Sequence, residues 1–256
     1  MCLILFAYDC HPEYHLVVAA NRDEYYSRPT ARAGFWEDCP GVLAGRDLER
    51  SGTWLGITRK GRFAALTNYR DPASYKSNAL SRGMLVKEYL CSALEPPEYI
   101  EWLRGVREAY NGFNLLLMGE GALWYYSNRG MDAEMIRPGI YGLSNRLLDT
   151  PWPKVVKGKE GLRQILGESG DVPVETLFDL LSDRAGANDE ELPDTGVSLK
   201  WERLLSAVFI ESDTYGTRAS TVITVQRNGG VVFAERSFGA GGVRNGGDMV
   251  YHFDLR

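Results

Sequence analysis

Cysteine and histidine are scarce in this chain of 256 residues, with four of the one and three of the other. Cys2, Cys10, Cys39 and Cys91 lie far apart with no CxxC pair, which argues against a disulfide framework and against a zinc site. His11, His15 and His252 share no metal-ligand spacing, so neither a metal nor a cofactor is expected. Long apolar runs are also missing, and none approaches the roughly 18–20 residues of a membrane-spanning helix. The opening apolar run is short, follows no basic region and meets charge at Asp9. It is a poor match to a secretory leader, and a cytoplasmic location is expected. An excess of positive charge is absent too. The formal net charge is −5 and the basic residues are scattered, which leaves no electrostatic footprint for nucleic acid. No internal repeat or low-complexity tract is visible. The length suffices for a sizeable core, and no linker sets apart a self-sufficient half, so a single domain over residues 1–256 is expected.

The distinctive chemistry is concentrated at the start. Two apolar runs, Cys2 to Tyr8 and Tyr14 to Ala20, are joined by a break at Asp9-Cys10-His11-Pro12 and read as a β-hairpin. That hairpin would bring Cys2 close to Asn21-Arg22-Asp23. Small second residues permit loss of the initiator Met, after which Cys2 carries both a thiol and a free α-amine of ordinary pKa about 8. Such an amine can serve as general base for the thiol attached to it, so no separate His is needed.

Further along, Arg28 to Asp38 is rich in Pro, Gly and Arg and reads as a loop. Short runs at 41–45, 53–58 and 62–68 then predict an antiparallel meander, with Trp54 as core. Asn68 closes its strand, where an amide could donate to a developing oxyanion or simply make a turn. Ser81 is placed to cap a helix through Ala93, Pro96-Pro97 to break it, and Glu98 to Tyr110 to form a second. Strands are expected at 113–118, 123–127 and 139–143, the last ending at Ser144-Asn145. Helices are expected at 151–166 and 173–182, and a mobile acidic surface loop at 184–198. Leu204 to Glu211 reads as a strand, Thr214 to Arg218 as a turn, and Ala219 to Gln226 as a β-branched strand. A tight turn at Asn228-Gly229-Gly230 leads to a return strand at 231–237, and a last strand covers 249–255. Gly239 to Gly242 opens no helix, so it reads as a connection and not as a phosphate loop. Helices segregated from antiparallel strands make the class α+β.

Asn21-Arg22-Asp23-Glu24 spells NRDE, and blocks in order along the chain extend the likeness. They are the Met-Cys start, Arg28-Pro29, Gly45-Arg46-Asp47, Gly52-Thr53-Trp54-Leu55-Gly56, Ala65 to Arg70, Ser81-Arg82-Gly83 and Gly112-Phe113-Asn114-Leu115. Gly142 to Asn145, Pro151-Trp152-Pro153-Lys154, Tyr215 to Arg218 and Ser220-Thr221 complete them. The chain resembles the NRDE family, also called the transport and Golgi organisation family, which is grouped by fold with the N-terminal-nucleophile hydrolases. The resemblance implies a four-layer αββα sandwich of two antiparallel sheets flanked by helix pairs. It implies Cys2 as nucleophile on an amide or thioester acyl bond, Asp23 orienting or charge-balancing the amine, and Asn68 holding the oxyanion. Asn145 would hold the amine or polar parts of a small or lipid-like substrate, Arg218 would supply positive charge near the thiolate, and Asn21, Arg22 and Tyr69 would bind substrate. The related hydrolases carry an Arg immediately before the Asn that precedes the Asp. Here Ala20 stands in that place, and Arg22, two residues on, falls on the same strand face.

The family's other reading is a non-catalytic carrier of lipid, acyl-CoA or haem built on the same fold. Tyr25, Tyr26, Phe35, Trp36 and Tyr69 would suit such a pocket, and a β core equally. His11, His15, Cys2 or a Tyr could ligate haem iron, although no attachment motif is present. Intact-mass measurement of the purified chain tests the premise of the first reading. The expected mass is that of the chain without Met1, and a mass that includes Met1 removes the amine from the mechanism.

Overall fold

In the computed structural model of the protein, residues 2–130, 132–167 and 170–256 are described. Strands β1 (Cys2–Tyr8), β2 (Tyr14–Tyr25), β3 (Thr30–Phe35), β4 (Val42–Asp47), β5 (Leu55–Thr58) and β6 (Phe63–Asn68) come first, then helices α1 (Gly83–Cys91) and α2 (Pro96–Val106). Strands β7 (Phe113–Met118), β8 (Leu123–Ser127), β9 (Glu134–Met135) and β10 (Gly139–Leu143) precede helices α3 (Pro153–Gly167), α4 (Val174–Leu181) and α5 (Leu199–Leu205). Strands β11 (Tyr215–Gln226), β12 (Gly230–Ser237) and β13 (Met249–Asp254) complete the order. The class is α+β with two antiparallel sheets. No helix among the described residues is long and apolar enough to cross a membrane.

The chain divides into two compact units. The first takes the stretch up to Ser27, Arg137–Ser144 and Leu148–Phe253; the second takes Arg28–Ile136, Asn145–Leu147 and Asp254–Arg256. The first unit's sheet runs β10-β1-β2-β11-β12-β13. Its two longest strands, β2 and β11, are antiparallel partners, with Ile223 opposite Val18 and Thr221 opposite Ala20. Period-two alternation decides which side chains face the helices. Leu3 and Leu5 of β1, Val17 and Ala19 of β2 and Val222 of β11 share one apolar cluster with Val155 and Leu162 of α3 and Leu177, Phe178 and Leu181 of α4. Each Val, Leu or Phe side chain so removed from water contributes about 1.5–3 kcal/mol. Helix α3 lies so close to the sheet that a methyl group on Gly158 would stand 2.7 Å from Leu5 Cδ1.

The second unit's sheet runs β3-β4-β5-β6-β7-β8-β9. Val42, Ala64, Leu66, Leu115 and Leu117 pack with Leu85, Val86 and Tyr89 of α1 and Ile100 and Leu103 of α2. Arg62 crosses this helix pair: its guanidinium lies 4.2 Å from the centre of the Tyr89 ring and donates to Glu95 Oε1 at 2.9 Å. The Cys91 thiol, though exposed, lies against that of Cys39, and partial desolvation together with this neighbour raises its pKa. A thiol so raised is a poor nucleophile.

Several expectations are corrected. The stretch 28–38 contains the edge strand β3, paired with β4 through a register shift between Ala31 and Gly34. An edge strand tolerates the charge and glycine that suggested a loop. Ser81 does not cap α1; the N-cap position is Arg82 and has no side-chain cap bond. Pro96-Pro97 begin α2 instead of merely ending α1, because Glu95 and Glu98 form a reciprocal capping box there and the first helical positions need no N–H. Within 184–198 a short 3₁₀ turn forms at Asp189–Glu191. The run 199–205 is helix α5, and the apolar residues after it are buried loop, not strand. Trp201, Leu204 and Leu205 pack on Ile210 and Tyr215, so burial of the run comes from α5 docking and not from a ladder. Residues 215–218, expected as a turn, belong to β11, whose pairing shifts between Thr217 and Ala219. The NRDE residues likewise lie within β2 and do not follow it.

Gly216 lies where this irregular stretch meets the loop. A methyl group there would stand 2.2 Å from Tyr26 Oη and 2.5 Å from the Ile210 carbonyl oxygen. The tyrosine could swing away, but the carbonyl is backbone that accepts the Thr217 N–H at 2.8 Å. Gly216→Ala is expected to lower stability by about 1–3 kcal/mol through overpacking, read as a lowered denaturant midpoint.

Candidate active site

The β1–β2 register sets Cys2 opposite Arg22 and Leu3 opposite Asn21, which is the proximity the hairpin pattern implied. Cys2 is buried, at 7% exposure. Burial is the main cause that pushes its thiol up; the Asp23 charge adds to this, while Arg22 and a hydrogen bond from the Asp23 backbone N–H oppose it. The resting group is therefore a neutral thiol already touched by a backbone donor.

Asp23 is 1% exposed. Its Oδ1 accepts from Thr217 Oγ1 at 2.8 Å, and Thr217 Oγ1 in turn accepts the Ile210 N–H at 2.9 Å. The Asp23 carbonyl accepts from Tyr215 Oη at 3.2 Å. Burial pushes the carboxyl up, and the strongest opposing influence is the ammonium of Lys154, followed among side chains by Thr217 and Arg22. Lys154 is 3% exposed and lies in the first turn of α3. In the sequence it belongs to the block Pro151-Trp152-Pro153-Lys154, where nothing marks it for a role. A lysine after two prolines looks like a solvent-exposed first-turn residue, and nothing local reveals that the helix turns it inward.

The other expected residues divide by unit. Within the first unit, Asn21 is fully buried, and its amide donates to the carbonyls of Leu181 and Val208 at 2.9 Å each and accepts from Ser220 Oγ at 2.6 Å. Its side chain thus ties β2 to α4 and to the loop before β11, which leaves little of it for substrate. Arg22, only 12% exposed at its side chain, is the cation acting on Cys2. Arg218 falls at the pairing shift of β11; its Nη1 donates to the Tyr25 carbonyl at 2.8 Å, and its guanidinium lies 5.9 Å from the centre of the Tyr26 ring. Burial and the nearby Arg22 charge lower its pKa.

Within the second unit, Asn145 is fully buried and donates to the Asn68 carbonyl at 2.9 Å, while its own carbonyl accepts the Arg70 N–H at 2.7 Å. The two strand-end asparagines are therefore brought together. Tyr69 lies under Arg146, whose guanidinium is 5.1 Å from the ring centre. Asn114, part of another quoted block, was missed: its amide donates to Thr67 Oγ1 at 3.0 Å and to the Arg146 carbonyl at 2.8 Å, and it accepts from Tyr125 Oη at 2.8 Å. Trp36, which suited a ligand pocket and a β core equally, is buried in the apolar cluster with α1 and α2. No group of three or more His, Cys, Asp and Glu side chains among the described residues could hold a metal ion.

Comparison with known proteins adds the following. A family model for Transport and Golgi organisation 2 matches residues 1–240. The mouse Transport and Golgi organization 2 homolog is 38% identical over 257 residues, covering 93% of this chain and 93% of that protein. The human homolog is 37% identical over 276 residues and covers all of both chains. Among solved structures, a Caenorhabditis elegans ortholog of N-acylethanolamine-hydrolyzing acid amidase superposes with a TM-score of 0.49 at 10% identity, over 87% of this chain and 92% of that one.

Asn21 gives a direct test of structural against substrate-binding use. Asn21→Ala would leave the Leu181 and Val208 carbonyls without their donor. A loss on the order of 3 kcal/mol is expected from two unsatisfied buried groups, measured as a lower denaturant midpoint with unchanged slope.

Proposed function

The chain belongs to the Transport and Golgi organisation 2 family, and from that premise we propose that it is an N-terminal-nucleophile hydrolase or acyltransferase. It cleaves an amide or thioester acyl bond of a small or lipid-like substrate. The observation that carries this reading is the pairing of Cys2 with the Arg22-Asp23 end of β2, where the Asp23 N–H meets the sulfur and the Asp23 carboxylate is buried alongside.

The chemistry follows from the state of the thiol. Burial keeps it protonated, so a thiolate is scarce and attack needs a proton acceptor within reach. Removal of Met1 turns the Cys2 backbone nitrogen into that acceptor. Cys2 Sγ then attacks the acyl carbon while the thiol proton passes to the α-amine. Collapse of the tetrahedral adduct breaks the bond to nitrogen or sulfur, and the proton goes to the departing group. Water, deprotonated by the same amine, hydrolyses the thioester left on Cys2; a second acceptor in place of water makes the reaction an acyl transfer. Asp23, held by Thr217, fixes the amine, and Arg22 favours negative charge on the sulfur.

Cys2→Ser in protein confirmed to lack Met1 is expected to abolish turnover of an acyl-amide or acyl-thioester panel. It should leave substrate binding close to that of the parent chain. Full turnover by the Ser variant would reject the nucleophile. Binding with no turnover by either protein would favour a carrier of the same ligand.

A further inference from the structure

Lys154 is a buried cation in an unfavourable place. The first turn of a helix carries the positive end of the macrodipole, which favours anions and opposes an ammonium. Removal of that ammonium from water adds a desolvation cost unless a counter-charge is at hand. Both costs fall on α3, whose next residue, Val155, packs into the apolar cluster with Leu3 and Leu5 of β1. On β2, Val17 and Ala19 face the same cluster, and Asn21 continues that face by donating to Leu181 at the end of α4. Asp23 is the next residue of this alternation, and it is sealed from solvent as Lys154 is. Of the charges acting on the Asp23 carboxyl, Lys154 has the strongest stabilising influence.

We propose that Lys154 is the counter-ion of Asp23, a positioning residue that lets Asp23 hold the Cys2 α-amine without locking it as ammonium. The bearing of this on turnover rests on the reading of Cys2 as an N-terminal nucleophile. An amine beside an uncompensated carboxylate is stabilised in its protonated form. An ammonium cannot accept the thiol proton, so a site with Asp23 alone would hold its base well and disable it. Lys154 cancels the carboxylate charge when both are ionised and leaves a positive charge when Asp23 is protonated. In either state the amine is less protonated than it would be with Asp23 alone. Among the described residues, the other titratable or charged groups near this point include the Cys2 thiol on β1, Arg22 on β2, Tyr26 just after it, and Tyr215 on β11, whose hydroxyl bonds the Asp23 carbonyl.

The test uses the full chain with Cys2 made N-terminal by proteolytic removal of a leader, so the amine is present whatever natural processing does. Formaldehyde condenses with an N-terminal cysteine only when the amine is unprotonated, and intact mass follows the thiazolidine as a function of pH. The Cys2→Ala chain, which has no side-chain nucleophile to close such a ring, is the control. Lys154→Met is expected to raise the midpoint of the rate profile by about one pH unit or more, the usual effect of a lost charge partner. Lys154→Arg should leave it near the parent value. A folded Lys154→Met chain with an unmoved midpoint overturns the proposal. If that variant does not fold, Asp23→Asn is compared with the Asp23→Asn/Lys154→Met double variant, which buries no unpaired charge. The single variant should have the lower midpoint, and equal midpoints overturn the proposal. The readout needs no substrate, so an inactive chain with the expected shifts would reject the hydrolase reading and keep this one.

Discussion

The burial of the Asp23 carboxylate constrains everything around it. A carboxylate out of water is tolerated only when donors and a counter-charge replace its hydration. The chain meets this demand from three elements distant in sequence: Thr217 on β11, Lys154 on α3 and Arg22 on β2 itself. The pairing shift in β11 between Thr217 and Ala219 belongs to the same arrangement. It keeps Thr217 opposite Asp23 while the regular ladder resumes at Ala219 opposite Arg22. Arg218 is the residue displaced by the shift, and its guanidinium reaches back to Tyr25.

One turn of alternation away, Asn21 resolves a different problem with the same economy. The end of α4 and the loop after α5 leave the Leu181 and Val208 carbonyls to be satisfied from outside their own elements, and a buried primary amide supplies two donors and an acceptor at once. The second unit uses the device twice, with Asn145 on the Asn68 carbonyl and Asn114 on the Arg146 carbonyl. Three of the asparagines in the quoted blocks are thus fully buried and hydrogen-bonded to backbone. Their presence in blocks shared with the family does not by itself separate chemistry from architecture.

Much of the fold was legible because its signals are local. The opening hairpin, the meander at 41–68 and the Asn228-Gly229 turn depend on period-two alternation and on turn residues that need no distant partner. The errors fall where a partner overrules the local pattern. Strand β3 looks like a loop until β4 supplies its ladder. Helix α5 is short, and its apolar residues continue into a buried loop, so the whole run resembles a strand. The Thr214 to Arg218 stretch contains glycine and hydroxyl residues typical of turns, but β2 is long enough to extend β11 through it.

The site divides along the same line. The sequence by itself determined which groups meet: a thiol at Cys2, and an Asp23 that the hairpin must return to it, since strand pairing follows from alternation and loop length. Only the tertiary structure decided their electrical state. That Asp23 is sealed from water, that Lys154 points inward to meet it, and that Asn21 is used up by two carbonyls depend on which helix covers which strand. Burial and charge pairing are properties of space, not of neighbouring letters, because a Coulomb interaction and a lost hydration shell depend on distance and on what fills it.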